Sequence, residues 1–280
     1  MTAEIERIAR AATRHETPCG DGHVVWRGWG EGPPLVLLHG GSGSWRHWLR
    51  NIEAFARHHR VLAPDMPGLG ESAMPPGEAT PAAAAAPLAE GLAALLGPAR
   101  RYHLVGFSFG ANVGGHLAAL EGAHVASLTL VGAASLGLPR PPLDLLKVRD
   151  KQGAARMAAH RENLARLMLR DPARIDDTAL AIQEWNTAHA RLRSRGFASG
   201  TSLKDALEQV TAPLNGIWGE YDAVAWPEVP ARLAVLRARD PSLLEAIIPG
   251  AGHWVAYEAP EAFNAALLAM LARRAGRTAR

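Results

Sequence analysis

Gly106-Phe107-Ser108-Phe109-Gly110 is the segment of this chain whose residue types and spacing best suit covalent chemistry. It fits G-x-S-x-G, and it falls where a strand-like run, YHLVGF (102–107), meets a helix-like run, FGANVGGHLAALEG (109–122). At such a junction small residues let strand and helix approach. The tight turn lifts the serine hydroxyl clear of the sheet, at the helix end that favours negative charge. A hydroxyl becomes a useful nucleophile only when a base takes its proton. Of the twelve histidines, His253 is the candidate base. It ends Pro249-Gly250-Ala251-Gly252-His253, a loop between the last strand and the last helix, where α/β folds place their chemistry. His58, His59, His103, His124, His160 and His189 fall inside helices or strands or at their ends.

An imidazole base needs an acid to fix its tautomer and stabilise its cation. Gly219-Glu220-Tyr221-Asp222 follows the strand 212–218 directly. Asp222 lies further into that loop and is the candidate partner, while Glu220 reads as structural. The developing oxyanion needs backbone donors: the N–H of Phe109, and a second from His39-Gly40-Gly41-Ser42-Gly43-Ser44, with Gly41 the candidate. That glycine-rich loop lacks both GK[ST] and G-x-G-x-x-G, which argues against nucleotide binding. Phe107, Trp185 and Trp254 are read as walls of an apolar substrate pocket, with ordinary packing as the competing reading.

These residues need a sheet to hold them. Strands are expected at 23–29, 34–40, 60–65, 102–107, 125–132, 212–219 and 242–250. Helices are expected at 3–12, 45–59, 82–96, 109–122, 227–240 and 255–273, with the tail from Arg277 frayed. Strands alternating with helices mean βαβ units and a parallel sheet. The alternation stops after Gly132 and resumes at Ala212, so residues 1–132 and 212–280 form an α/β core interrupted by a helical insertion, 133–211. Its clearest helices are 151–171 and 176–195. The insertion carries 13 Lys/Arg against 9 Asp/Glu, so all of the chain's net charge of +3 lies there.

Length and composition close off other classes. The chain has 280 residues, 48% of them hydrophobic, enough for a full core. Its 30 cationic residues include only three lysines, Lys147, Lys151 and Lys204, and no basic run is interleaved with aromatics, against a nucleic-acid partner. Cys19 is the single cysteine, so no disulfide forms within the chain, and this argues against a cysteine-based metal site. A charged N-terminus and the lack of any long apolar run lead to the expectation of a cytoplasmic protein with no membrane partner. Association into a homo-oligomer stays open.

Five segments in order, LLHGG (37–41), DMPGLGES (65–72), GFSFG (106–110), GEYD (219–222) and GAGHW (250–254), make the chain resemble the α/β-hydrolase superfamily from about residue 22 to 273. The order nucleophile, acid, base matches that fold. The resemblance implies a mostly parallel eight-stranded sheet, a helical lid at 133–211, a Ser-Asp-His triad working through an acyl-enzyme, and no cofactor or metal. Serine at 108 separates the chain from the branches with a carboxylate nucleophile. His253-Trp254 and EAPEAFN (258–264) are similar to the meta-cleavage-product hydrolases, which split carbon–carbon bonds in 2-hydroxy-6-oxo-dienoates. Those enzymes carry Asn before the nucleophile, where Phe107 stands here, and Arg before a lid Trp, where Glu184 stands; Arg191 or Arg193 would have to substitute. The expectation is therefore a serine hydrolase of small to medium carboxylic esters or related acyl compounds. The alternatives are a dienoate carbon–carbon hydrolase and a non-catalytic ligand-binding member of the fold, the latter disfavoured because all three triad positions are filled.

Overall fold

A computed structural model describes residues 2–277, so the fraying expected at the extreme C-terminus lies largely outside the described residues. Eight strands form one sheet: β1 (Thr13–Cys19), β2 (Gly22–Trp29), β3 (Pro34–Leu38), β4 (Arg60–Pro64), β5 (Tyr102–Phe107), β6 (Val125–Val131), β7 (Leu214–Gly219) and β8 (Leu244–Ile248). Their spatial order is β1-β2-β4-β3-β5-β6-β7-β8. β2 runs antiparallel to β1 and β4, and all neighbours from β4 through β8 pair in parallel.

The central strands are apolar without alternation because both faces are covered. In β3, Val36 and Leu38 pack into one core cluster and Leu35 and Leu37 into the other. Among the described residues there are ten helices: α1 (Ala3–Arg10), α2 (Ile52–Ala56), α3 (Pro81–Leu96), α4 (Phe109–Glu121), α5 (Gly153–Asn163), α6 (Asp177–Ala188), α7 (Ser202–Leu207), α8 (Val229–Arg239), α9 (Val255–Glu258) and α10 (Pro260–Arg277). Leu88 and Leu92 of α3, Val113 and Leu117 of α4, and Leu233 and Leu236 of α8 fill one face. Ile5 and Ile8 of α1, Phe55 of α2, and Phe263 and Leu267 of α10 fill the other. Among the described residues no helix is long and apolar enough to cross a membrane.

Several elements differ from the sequence expectation. β1 went unrecognised: TRHETPC is largely exposed and pairs only with β2, so no apolar pattern marks it. The helix expected at 45–59 is a 3-10 turn (Trp45–Trp48) followed by the short α2. The one expected at 255–273 is broken between α9 and α10, because Pro260 drives Ala259 out of helical geometry, to φ −127° and ψ 61°. In the insertion, the run at 151–171 leaves α-geometry after Asn163 for a wider π-turn, Leu164–Met168. The run at 176–195 ends as a helix at Ala188.

His103 in β5 is buried, with its Nδ1 2.7 Å from Ser127 Oγ of β6. Burial first, then the positive fields of His59 and Arg101, lower its pKa to about 4. The ordinary value is 6.5, so as pH falls the unfolded chain takes up this proton before the native one. Its contribution to stability is complete above pH ~6.5 and is lost between there and pH ~4. His103→Gln, which keeps a polar partner for Ser127, should shrink the difference in unfolding free energy between pH 7 and pH 4.5 by about 2–3 kcal/mol. Urea melts of both proteins at the two pH values measure it.

Candidate active site

Ser108 stands between β5 and α4 at φ 53° and ψ −113°, a backbone conformation costly for a non-glycine residue. Its N–H donates to Val131 O of β6 at 2.8 Å, which pins the turn. The turn closes only because its flanks are bare: a methyl at Gly110 would overlap the carbonyls of Leu38 and His39. His253 Nε2 lies 2.9 Å from Ser108 Oγ, and His253 Nδ1 lies 2.8 Å from Asp222 Oδ1. The structure thus brings the three sequence-predicted residues into one hydrogen-bonded chain. Asp222 and His253 are buried, and Ser108 is half-buried and faces a cavity of about 160 Å³.

Ionising a buried carboxylate is costly unless it is bonded. Asp222 Oδ1 also accepts the N–H of Val224 at 2.9 Å. Arg232 of α8, itself buried, feels the opposing charge of Asp222, and its guanidinium is tied to the carbonyls of Pro139 and Val224. Glu220 accepts the N–H of Gly250 at 2.9 Å, a structural tie between the acid loop and the base loop, in keeping with its sequence reading. Sequence reasoning missed Gly132. Its φ is +54°, and a methyl there would lie 3.0 Å from Asp222 Oδ2 and 3.1 Å from His253 Nδ1. It missed Glu258 too, whose buried carboxylate accepts the N–H of Gly252 and of Asp171, each at 2.6 Å. The sequence signal for Glu258 was only its place in EAPEAFN.

The predicted oxyanion donors lie side by side. Phe109 is the first residue of α4, and a methyl on Gly41 would sit 3.6 Å from Phe109 Cβ. The loop before Gly41 is held by two histidines that sequence reasoning did not assign. Met66 N–H donates to His39 Nε2 at 2.9 Å, so the His39 proton is on Nδ1 and donates to Gly40 O at 2.8 Å. Gly40 N–H donates to His47 Nδ1 at 3.1 Å, so His47 carries its proton on Nε2. In a planar trans peptide C=O and N–H point in opposite directions. Fixing the Gly40 carbonyl therefore aims the Gly41 N–H. Burial lowers the pKa of both rings; that of His47 falls well below the usual range, with His39 and His253 adding repulsion.

The pocket walls need correcting. Phe107 lines the cavity, its ring packed between His47 and His253 at centroid distances of 5.7 and 5.0 Å. Trp254 does not line it: fully buried, it stacks on Tyr257 and donates from Nε1 to His47 O at 2.8 Å. Trp185 does not line it either, being stacked on His189 and under the Arg46 guanidinium at 3.6 Å. Residues 135–198 supply the opposite wall, including Leu143, Asn163, Met168, Gln183, Ser194 and Phe197. Arg191 is bonded to the carbonyls of Gly70 and Ser72 and is not among the cavity's residues. Among the described residues no group of His, Cys, Asp and Glu is placed to hold a metal ion.

The alpha/beta hydrolase family matches over residues 35–266. The chain is similar to the dihydrolipoyllysine-residue acetyltransferase component of the acetoin cleaving system of Pseudomonas putida, 33% identical over 86% of this chain but only 64% of that longer protein. It is 27% identical to the 2-hydroxy-6-oxo-6-(2'-aminophenyl)hexa-2,4-dienoic acid hydrolase of Metapseudomonas resinovorans, over 88% of this chain and 86% of that one. A thermophilic esterase from Thermogutta terrifontis superposes with a TM-score of 0.70 at 25% identity, over 94% of this chain and 99% of that one.

The hydrogen-bonded chain should make Ser108 reactive. A fluorophosphonate should add one adduct to the wild-type protein and none to Ser108→Ala. Asp222→Asn, which leaves His253 in the wrong tautomer, should slow labelling by about a thousandfold or more. Intact-protein mass spectrometry against time reads both.

Proposed function

Because the chain belongs to the alpha/beta hydrolase family, we propose that it is a serine hydrolase that cleaves small carboxylic esters or related acyl compounds through an acyl-enzyme. The observation that carries the reading is the run of hydrogen bonds from Asp222 through His253 to Ser108. His253 takes the hydroxyl proton as Ser108 attacks the carbonyl, then returns it to the leaving alcohol. Asp222 keeps His253 in the correct tautomer and stabilises its cation. The N–H groups of Gly41 and Phe109 hold the oxyanion. Water activated by His253 then releases the acid.

Segment 133–211 acts as a lid that walls the cavity and keeps the acyl group dry. A cavity of about 160 Å³ matches, in order of magnitude, the ~150 Å³ that accommodates one benzene. That favours short acyl chains. The partner is a small acyl compound and not nucleic acid, and a lone cysteine fits a cytoplasmic location. Carbon–carbon hydrolysis of a dienoate is the second reading, supported by the likeness to the Metapseudomonas resinovorans enzyme. Against it, Phe107 stands before the nucleophile, and Glu184 is bonded to Arg156 at 2.8 Å rather than replaced by a free cation.

A p-nitrophenyl ester series should be hydrolysed best between acetate and hexanoate and fall away by decanoate. Ser108→Ala should lose at least about 10³-fold in kcat. Activity near wild type in Ser108→Ala would sink the assignment. Ester inertness with steady decay of a 2-hydroxy-6-oxo-dienoate chromophore would transfer the protein to the second reading.

A further inference from the structure

Among the polar side chains of the cavity that have no role in the proton relay, His47 and Ser194 lie against the oxyanion loop. His47, 2% exposed, presents Nε2–H, since its Nδ1 is taken by the Gly40 N–H. Ser194, 6% exposed, comes from the insertion, and a methyl on Gly41 would overlap its hydroxyl oxygen. Both line the cavity, and neither His47 Nε2 nor Ser194 Oγ has a hydrogen-bond partner among the described residues. Each touches the Gly40–Gly41 step that supplies an oxyanion donor, so both lie beside the place where the reacting carbonyl oxygen sits. A ligand oxygen between them would supply the hydrogen-bond partner that the protein does not.

We infer that His47 and Ser194 are specificity-determining residues that bind a second substrate oxygen, carried on the carbon next to the reacting carbonyl. The inference rests on the serine-hydrolase reading and names its substrate class: esters of 2-hydroxy or 2-oxo acids, preferred over esters of plain alkanoic acids. The donors are neutral, because burial and the neighbouring histidines keep His47 unprotonated in the neutral range. As neutral donors they can hydrogen-bond a hydroxyl or keto oxygen without an ionic partner. No Asp or Glu among the described residues lines the cavity to compete for them. The cavity, at about 160 Å³, admits an acyl group of lactate or pyruvate size.

Methyl lactate and methyl isobutyrate differ by a hydroxyl against a methyl at that carbon. Their hydrolysis can be followed by proton release in the wild type, Ser108→Ala, His47→Leu, His47→Gln and Ser194→Ala. The wild type should favour the lactate ester in kcat/KM by about tenfold or more. That ratio should drop several-fold in His47→Leu and in Ser194→Ala. It should return in His47→Gln, whose amide can accept from Gly40 and still donate to the substrate. If His47→Leu fails to fold in a thermal melt, Ser194→Ala decides. Ser108-dependent turnover of both esters with a ratio near one, or a ratio unmoved by Ser194→Ala, overturns this inference alone. No Ser108-dependent turnover of either ester, together with no phosphonate adduct at Ser108, overturns the hydrolase reading and this inference with it.

Discussion

A dry carboxylate bonded to an imidazole sets the terms for everything around it. Asp222 follows β7, His253 follows β8 and Ser108 follows β5, while β6 lies between the first and the last of these. Neighbouring strands are about 4.8 Å apart, so the three loops must lean over the end of β6 to meet. The end of β6 therefore has to be bare and sharply turned. Gly132 meets both demands at once, with its positive φ and with no side chain to intrude between Asp222 and His253. Parallel pairing from β5 to β8 points all four strand ends the same way, which makes the meeting possible.

A second constraint runs through the Gly40 peptide. His39 holds the Gly40 carbonyl and His47 accepts the Gly40 N–H, with opposite tautomers, each dictated by a backbone N–H that can only donate. Trp254, next to the base, fixes the backbone of His47 through its indole N–H. The base loop and the oxyanion loop are therefore packed as one unit, with Trp254 as its backing.

The sequence was most informative where one residue type has one job. A serine at a strand-to-helix turn, an acid and a base at successive strand ends, and unbroken apolar runs for buried parallel strands were all readable from type and spacing. β1 was not, because an edge strand paired on one side needs no apolar pattern. The breaks at Pro260 and after Asn163 hid inside continuous helical periodicity. Gly132, Glu258, His39 and His47 were invisible for a different reason. Their value lies in specific partners, such as Asp171 for Glu258 and His253 for Gly132, and spacing says nothing of such pairs. Trp185 and Trp254 show the opposite error: an aromatic near a motif was read as a wall, but its ring is occupied elsewhere.

The shared carboxylate of Glu258 has a consequence for how the molecule is made. Glu258 binds Asp171 of the insertion and Gly252 of the base loop, Tyr257 bonds Asp176, and Trp254 N–H reaches Met168 O. On the ribosome residues 168–176 are made some 80 residues before these C-terminal anchors. Much of the insertion can dock earlier, since Arg191 bonds the carbonyls of Gly70 and Ser72 and Ser44 bonds Asn186, but Met168 and Asp171 lack their partners until the start of α9 arrives. That corner of the roof is thus a late-assembling element, and a nascent chain arrested before residue 253 holds a nucleophile elbow without its base.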